Sequence, residues 1–517
     1  MYKLKNFLPE ALAFPILILT FLFTRLYNIM SLPIFTDEAI YTRWAQIASQ
    51  DASWRFISLT DGKQPSFVWV HMVFLRLVED PLLAGRLVSV AAGLLTVVGL
   101  YFLTKEIFED FEKSKDAARK IGLISAFLVV LYPFSVVYDR MALYDSGVAM
   151  FFVWALYFQV LLVRKLRLDI AMILGVVLGG AVLTKSSGFL SIYMIPFLVL
   201  ILFKEKNQLK ERFIKFVILF GISTLIAYAM YSILRLSPYF HIIEQKNSIF
   251  VYTISEWFAF PIDIKISNFI SNFNGLSNWL LIYFSLLYIA LVIYSFFVNL
   301  KLIREKMILL LWFFLPFLAL LVFGKTLYPR YILFMTMALI PLVALSLYQI
   351  AGRFKKKWII IVFFVLVFTP SVISINYILN DFARAPIAKS DLDQYINDWP
   401  SGGGVKESIE FFRKEAEIGP IYIATEGTFG LLPFSYEIYL VDKKNITING
   451  FWPINDIPPE EATEKAQQMP VYFVFYQPCP SCEFNGSAPE NWPLTQVLSF
   501  KKGEGNSFLT VYRLNSQ

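Results

Sequence analysis

SLPIFTDEAIYTRWAQ (residues 31–46) and TDGKQPSFVWVHMVFLRLVED (residues 60–80) are the two ends of one connection between long apolar runs. A connection of this length is either functional or disordered, and this one is too rich in Trp, Phe, Val and Ile to be disordered. The expectation is an active-site loop lying on a membrane surface, carrying Asp37, Glu38 and Lys63.

The rest of the chain supports the membrane half of that expectation. Of its 517 residues 57% are hydrophobic and 16% charged, and the mean hydropathy is +0.59, beyond the range of soluble globular proteins. Apolar runs fall near 11–30, 82–104, 121–138, 146–163, 170–184, 188–203, 214–236, 277–300, 307–324, 331–350 and 358–379. The fold class expected is an α-helical polytopic membrane protein of about eleven transmembrane helices over residues 1–379, with 31–80 as its external loop. The runs around Val176 and Met194 are shorter than the roughly 20 residues that cross a bilayer. The first run lacks a small-residue cleavage pattern and reads as an uncleaved span.

A net charge of +7 raises the question of nucleic acid. The basic residues lie instead in short loops between apolar runs, where they act as orientation signals, so no nucleic-acid partner is expected. They crowd alternate loops: Lys3 and Lys5, then 105–120, 164–167, 204–215, 301–306 and 353–357. By the positive-inside rule those loops and the N-terminus are cytoplasmic, which places 31–80 and everything after about residue 380 outside a plasma membrane. The few basic residues on external loops then stand out: Arg43, Arg55, Lys63 and Arg76, Arg140, Lys185, and Lys325 with Arg330. Singly they read as snorkelling side chains. Spread over four loops, they read as a cluster aimed at an anionic headgroup.

Within the opening loop, IFTDEAIYTRWAQIA has the spacing of a short amphipathic helix capped by Thr36 or Asp37, with Ile40, Trp44, Ile47 and Ala48 suited to a bilayer interface. Capping and a favourable first-turn charge account for one acid better than for two. Gly62 permits a turn and Pro65 extends Gln64, so Lys63 is presented from a bend. Phe67–Val78 reads as a second interfacial helix.

The set TDEAIYTRWAQ (36–46), DGKQPSFVW (61–69), RLVSVAAGLL (86–95), YDRMALYDSGVAMFF (138–152), LTKSSG (183–188) and KTLYPRYILF (325–334) resembles the GT-C membrane glycosyltransferases. It is most similar to the branch that holds protein O-mannosyltransferases and lipid A aminoarabinose transferases. The resemblance spans roughly residues 10–350. It implies a GT-C fold and transfer of a sugar, with inversion, from a polyprenyl-phosphate carrier to an acceptor hydroxyl of a protein, glycolipid or cell-envelope glycan on the outer face. Asp37 matches the family's catalytic acid position and is the expected general base, because a hydroxyl acceptor must hand its proton to a carboxylate. Glu38 is expected to support it. The leaving carrier phosphate needs cations rather than an acid. Lys63, Arg140, Lys185 and Arg330 are the candidates, with Lys325 in reserve; by resemblance Lys63, Arg140 and Lys185 face the phosphate or the sugar, and Asp145 matches a second family acid that orients one of those cations or a sugar hydroxyl. Tyr328 and Tyr331 are phosphate hydrogen-bond candidates or members of an aromatic belt. The geometric expectation is one cavity lined by Asp37, Lys63, Arg140, Asp145 and Lys185.

No metal is expected. His71 and His241 are single residues in apolar or aromatic settings, and although Asp37 and Glu38 with a histidine could hold a divalent cation, no spacing demands it. No cofactor beyond the lipid-linked sugar donor is implied; the expected partners are that donor, membrane lipids and the protein or glycan acceptor.

Residues 380–517 change character to a polar, Pro- and Gly-containing region that reads as an external soluble α/β domain. ESIEFFRKEA and PPEEATEKAQQ read as helices, and GPIYIATE, SYEIYLV, NITINGFW, PVYFVFYQ and SFLTVYRL as strands. IYIATEGTFGLLP lacks the glycine spacing or lysine of a nucleotide loop. Cys479 and Cys482, the only cysteines, suit a local disulfide, and the sequons at Asn445 and Asn485 are compatible with exposure. Two other classes are open. A lipid or glycan transporter would place its charges near the bilayer midplane in two related halves, and a receptor or assembly protein would not need so many spans.

Overall fold

In the computed structural model, residues 10–111, 115–204, 208–477, 488–489 and 491–516 are described; Cys479, Cys482 and Asn485 lie outside them. Every apolar run is helical, as hydrocarbon requires of a backbone that must satisfy its own hydrogen bonds. Among the described residues six helices have the length and composition of a membrane crossing, or eight if each of the bent pairs Asp116–Val130 with Pro133–Asp139 and Pro329–Thr336 with Ile340–Arg353 is one span. Three apolar helices are shorter: Leu12–Leu26, Leu168–Thr184 and Ser186–Leu202.

The first third of the chain forms α1 (Glu10–Leu26), α2 (Thr36–Gln50), α3 (Ser66–Phe74), α4 (Pro81–Ile107), α5 (Lys115–Val130), α6 (Pro133–Asp139), α7 (Tyr144–Lys165) and α8 (Leu168–Thr184). The opening loop is α2, two short 3₁₀ turns and α3. The helix of α2 begins where its pattern predicts, but its stripe does not face lipid. Ile40, Tyr41, Trp44, Ala45 and Ala48 are buried, because α2 packs against α3 and α4 on one side and the helix Leu431–Leu440 on the other. Arg43 Nε donates to Glu437 Oε2 at 2.6 Å and Gln46 Nε2 to the Ile438 carbonyl at 3.0 Å. A 3.6-residue stripe specifies an apolar partner without specifying lipid or protein.

The C-terminal region is a five-stranded sheet flanked by helices. Strands β1 (Ile421–Glu426), β2 (Ile446–Phe451), β3 (Val471–Gln477), β4 (Leu494–Lys501) and β5 (Phe508–Leu514) lie in the order β2-β1-β3-β5-β4. Strands β1, β2 and β3 are parallel, whereas β5 is antiparallel to both β3 and β4. SYEIYLV, expected as a strand, is part of the helix Leu431–Leu440. Parallel neighbours β1 and β2 need a crossover between them, and this segment supplies it. The sheet region is clipped to the start of α2: Thr36 N donates to the Pro400 carbonyl at 3.0 Å and Gly402 N to the Ile34 carbonyl at 2.7 Å.

Candidate active site

A cavity of about 700 Å³ opens where the first loop, the start of α7, the end of α8 and the 328–335 segment meet. Its polar wall carries Asp37, Lys63, Asp145, Lys185, Lys246 and Arg330; its apolar wall carries Phe250, Ile254, Pro316, Leu320 and Phe323. Gln394, Trp399 and Pro400 border it from the start of the C-terminal region.

Local structure explains how each charge arrives. Phe35 is the residue before the first turn of α2, and its N–H donates to Glu38 Oε2 at 3.0 Å. Glu38 therefore serves the helix start, and Asp37 is left to face the cavity. Gly62 ends a 3₁₀ turn with φ 66°, a left-handed conformation that glycine adopts without penalty, and Lys63 follows from the bend. Lys63 Nζ lies 3.3 Å from Asp37 Oδ1 and 2.9 Å from Tyr41 Oη, and 3.5 Å from Asp61. Arg330 reaches the other carboxylate oxygen of Asp37 at 3.1 Å. Lys185 Nζ donates to Asp145 Oδ1 at 2.9 Å and lies 4.7 Å from the Tyr331 ring centroid. Burial by itself would raise the Asp37 carboxyl, but the Lys63 and Arg330 charges reverse this and hold it well below the usual carboxylate range. Burial likewise opposes the Lys63 charge, and Asp37 and Asp61 outweigh it, so its ammonium is raised.

Three buried polar atoms of the lining have no hydrogen-bond partner among the described residues: Arg330 Nε, Tyr144 Oη and Ser187 Oγ. Buried donors are ordinarily satisfied, so these three are open to a polar group entering the cavity.

Asp37, Lys63, Asp145, Lys185, Tyr328, Arg330 and Tyr331 are thus brought together. Glu38, Arg140 and Lys325 are not. Glu38 is fully buried in a pair with Arg86 at 2.8 Å and also accepts from Ala142 N at 2.7 Å. Arg140 donates to the carbonyls of Thr24, Arg25, Tyr27 and Asn28, where α1 ends; a helix terminus with unsatisfied carbonyls consumes its guanidinium. Lys325 is held by the Ser248 carbonyl at 2.8 Å and Glu256 at 3.0 Å. Lys246, paired with Asp61 at 2.6 Å, is a lining cation that the sequence reading passed over. Residues 237–276 hold two lysines, Lys246 and Lys265, and only the packing against the 61–63 bend separates the one that lines the cavity from the one that does not.

His71 is buried with Nε2 3.0 Å from the Pro81 carbonyl, and His241 is exposed. Among the described residues no three His, Cys, Asp or Glu side chains gather as a metal-ligand set.

A family model for dolichyl-phosphate-mannose-protein mannosyltransferase matches residues 62–231. No curated protein sequence matches the chain. Among solved structures, ArnT from Cupriavidus metallidurans in the apo state is similar with TM-score 0.55 at 12% identity, covering 98% of each chain. The same protein bound to undecaprenyl phosphate gives 0.55 at 13%, covering 98% of this chain and 99% of that one. The archaeal oligosaccharyltransferase AglB from Archaeoglobus fulgidus, in complex with an inhibitory peptide and a dolichol-phosphate, gives 0.51 at 14%, covering 93% of this chain and 74% of that one. At such identities the likeness is one of fold, and it runs the length of the chain. The resemblance carried by the loop motifs is therefore met twice over: this membrane protein has the fold of the GT-C glycosyltransferases and matches the mannosyltransferase family through residues 62–231.

Proposed function

We propose that this protein is an inverting glycosyltransferase that moves a sugar from a polyprenyl-phosphate carrier to an acceptor hydroxyl at the outer face of the membrane. The observation that carries the reading is the convergence of Asp37 and Asp145 with Lys63, Lys185 and Arg330 around a cavity whose far wall is apolar. The carrier's chain lies along Phe250, Ile254, Leu320 and Phe323, and its phosphate among the cations. Lys63, Lys185, Lys246 and Arg330 face the carboxylates Asp37, Asp61 and Asp145, leaving one surplus positive charge, the match for a singly charged phosphodiester. The binding of undecaprenyl phosphate by ArnT and of dolichol-phosphate by AglB supports a carrier of this class.

In the reaction the acceptor oxygen attacks the anomeric carbon from the face opposite the phosphate. Its proton passes to Asp37, and the sugar–phosphate C–O bond breaks with its electron pair leaving on the phosphate. Lys63, Lys185 and Arg330 stabilise that growing charge, and preorganised cations in a poorly hydrated site do so at little reorganisation cost. The acceptor approaches from the side of Gln394, Trp399 and Pro400, which gives the C-terminal α/β region, residues 380–517, a part in holding it.

Purified protein supplied with a radiolabelled polyprenyl-phosphate sugar is expected to transfer or release the label. Asp37→Asn is expected to lose this turnover by about a hundredfold or more at unchanged thermal stability in detergent. Wild-type turnover by that variant would show that Asp37 is not the base.

A further inference from the structure

Both oxygens of Asp37 face a cation: Oδ1 is 3.3 Å from Lys63 Nζ and Oδ2 is 3.1 Å from Arg330, so the negative charge that would draw an acceptor proton is already engaged on both sides of the carboxylate. These are the cations that the carrier phosphate requires. A neutral hydroxyl does not displace an ammonium and a guanidinium from a buried carboxylate, whereas a phosphate competes for both with charge-assisted hydrogen bonds of its own.

The two cations are mounted so as to survive the exchange. Arg330 stands over the Tyr328 ring at 5.1 Å and the Phe35 ring at 5.7 Å, contacts that hold its plane without using its N–H groups. Its Nε is a buried donor with no hydrogen-bond partner among the described residues, ready for an incoming oxygen. Lys63 keeps Tyr41 Oη at 2.9 Å and Asp61 at 3.5 Å when Asp37 lets go.

We infer that Lys63 and Arg330 lock Asp37 in the resting protein and that the carrier phosphate releases it, so that the lipid-linked donor binds first and itself creates the place for the acceptor hydroxyl. The inference rests on the glycosyl-transfer reading and adds to it an order of binding. No covalent bond changes in this step; two cations exchange a carboxylate for a phosphate. The exchange also removes the charges that hold the Asp37 carboxyl low, so its basicity rises as the acceptor arrives. Without donor, neither acceptor nor water meets a competent base.

Undecaprenyl phosphate, which carries the phosphate but no sugar, is the probe, with its affinity for the full chain in detergent as the readout. Asp37→Asn keeps the shape and removes the competing charge, so it is expected to bind the probe about tenfold tighter than wild type, as expected for a close charge pair, while losing turnover. Asp145→Asn touches Lys185 alone and leaves the lock closed, so its gain is expected to be distinctly smaller. Unchanged or weaker binding by Asp37→Asn overturns the lock, as does an equal gain in both variants, which would reflect only the general field. The wild-type chain gives a second reading with no substitution: saturation with the probe is expected to shift a carboxylate stretching band in the infrared difference spectrum, and the absence of any such shift overturns the lock. Wild-type protein that binds undecaprenyl phosphate no better than undecaprenol overturns the glycosyl-transfer reading itself.

Discussion

Arg86 and Arg140 show what separates a cation of the fold from a cation of the site. Arg86 is fully buried and gives its guanidinium to Glu38 and to the Ile29 carbonyl; Arg140 gives its own to four carbonyls where α1 ends. Lys63, Lys185 and Arg330 are paired as well, but each pair borders open space. Arg86→Met leaves Glu38 as an uncompensated buried charge and is expected to cost about 3–5 kcal/mol, read as a large fall in the thermal midpoint. Arg140→Ala is likewise expected to lower stability with donor affinity retained. Lys63→Met reverses that pattern, because Asp37 keeps Arg330 as a partner: donor binding weakens by about tenfold or more while the thermal midpoint stays near wild type. At this scale sidedness named eight basic residues, of which Lys63, Lys185 and Arg330 line the cavity with Asp37. The failures are equally particular, because Arg140 follows α6 in chain order but faces the end of α1 in space, and nothing local in YDR records that.

The 61–63 bend is the element on which the site turns. A Cβ on Gly62 would lie 2.5 Å from the Lys246 Cβ and 2.6 Å from the Ile242 carbonyl oxygen, on a backbone that is already left-handed. Gly62→Ala is therefore expected to push the bend off the helix Ile242–Phe250, moving Lys63 and Lys246 together. Donor affinity should fall by more than the roughly 1–2 kcal/mol of conformational penalty accounts for, and a donor titration of the variant checks this. The helical start of α2, the bend and most of the C-terminal elements were readable from periodicity and glycine chemistry. The helix Leu431–Leu440 was not, because seven residues of mixed polar and aromatic character suit a strand or a helix equally. The need for a crossover between parallel strands decides it, and that need exists only once β1 and β2 are paired.

On the scale of the molecule, Asp391 ties the C-terminal region to the helices. Its carboxylate accepts from Tyr138 Oη at 2.9 Å and from Tyr283 Oη, on α6 and on the helix Ile262–Phe297. Burial raises the carboxyl to about 7, with the Tyr283 and Tyr138 hydroxyls and the Arg330 charge pulling the other way. A folded-state value above the unfolded one means that the contribution is full at low pH and is lost as pH rises through about 7. Thermal midpoints of the wild type are expected to decline between about pH 4 and 8 by an amount that Asp391→Asn abolishes; an identical slope in the variant would remove Asp391 as its source.

The sequence by itself determined the membrane class, the helical runs, the α/β character of the C-terminal region and five of the six charged residues that line the cavity, Lys246 being the sixth. Composition, periodicity and the sidedness of charge are properties of short stretches and need no partner to be read. Only the tertiary structure decided which charges meet. An ion pair between Asp37 and Arg330, or between Lys246 and Asp61, joins residues far apart in sequence, and the register that unites them is set by helix packing and by the bend at Gly62. The same packing placed the stripe of α2 against protein rather than lipid, since apolar burial is indifferent to the chemistry of the partner that provides it.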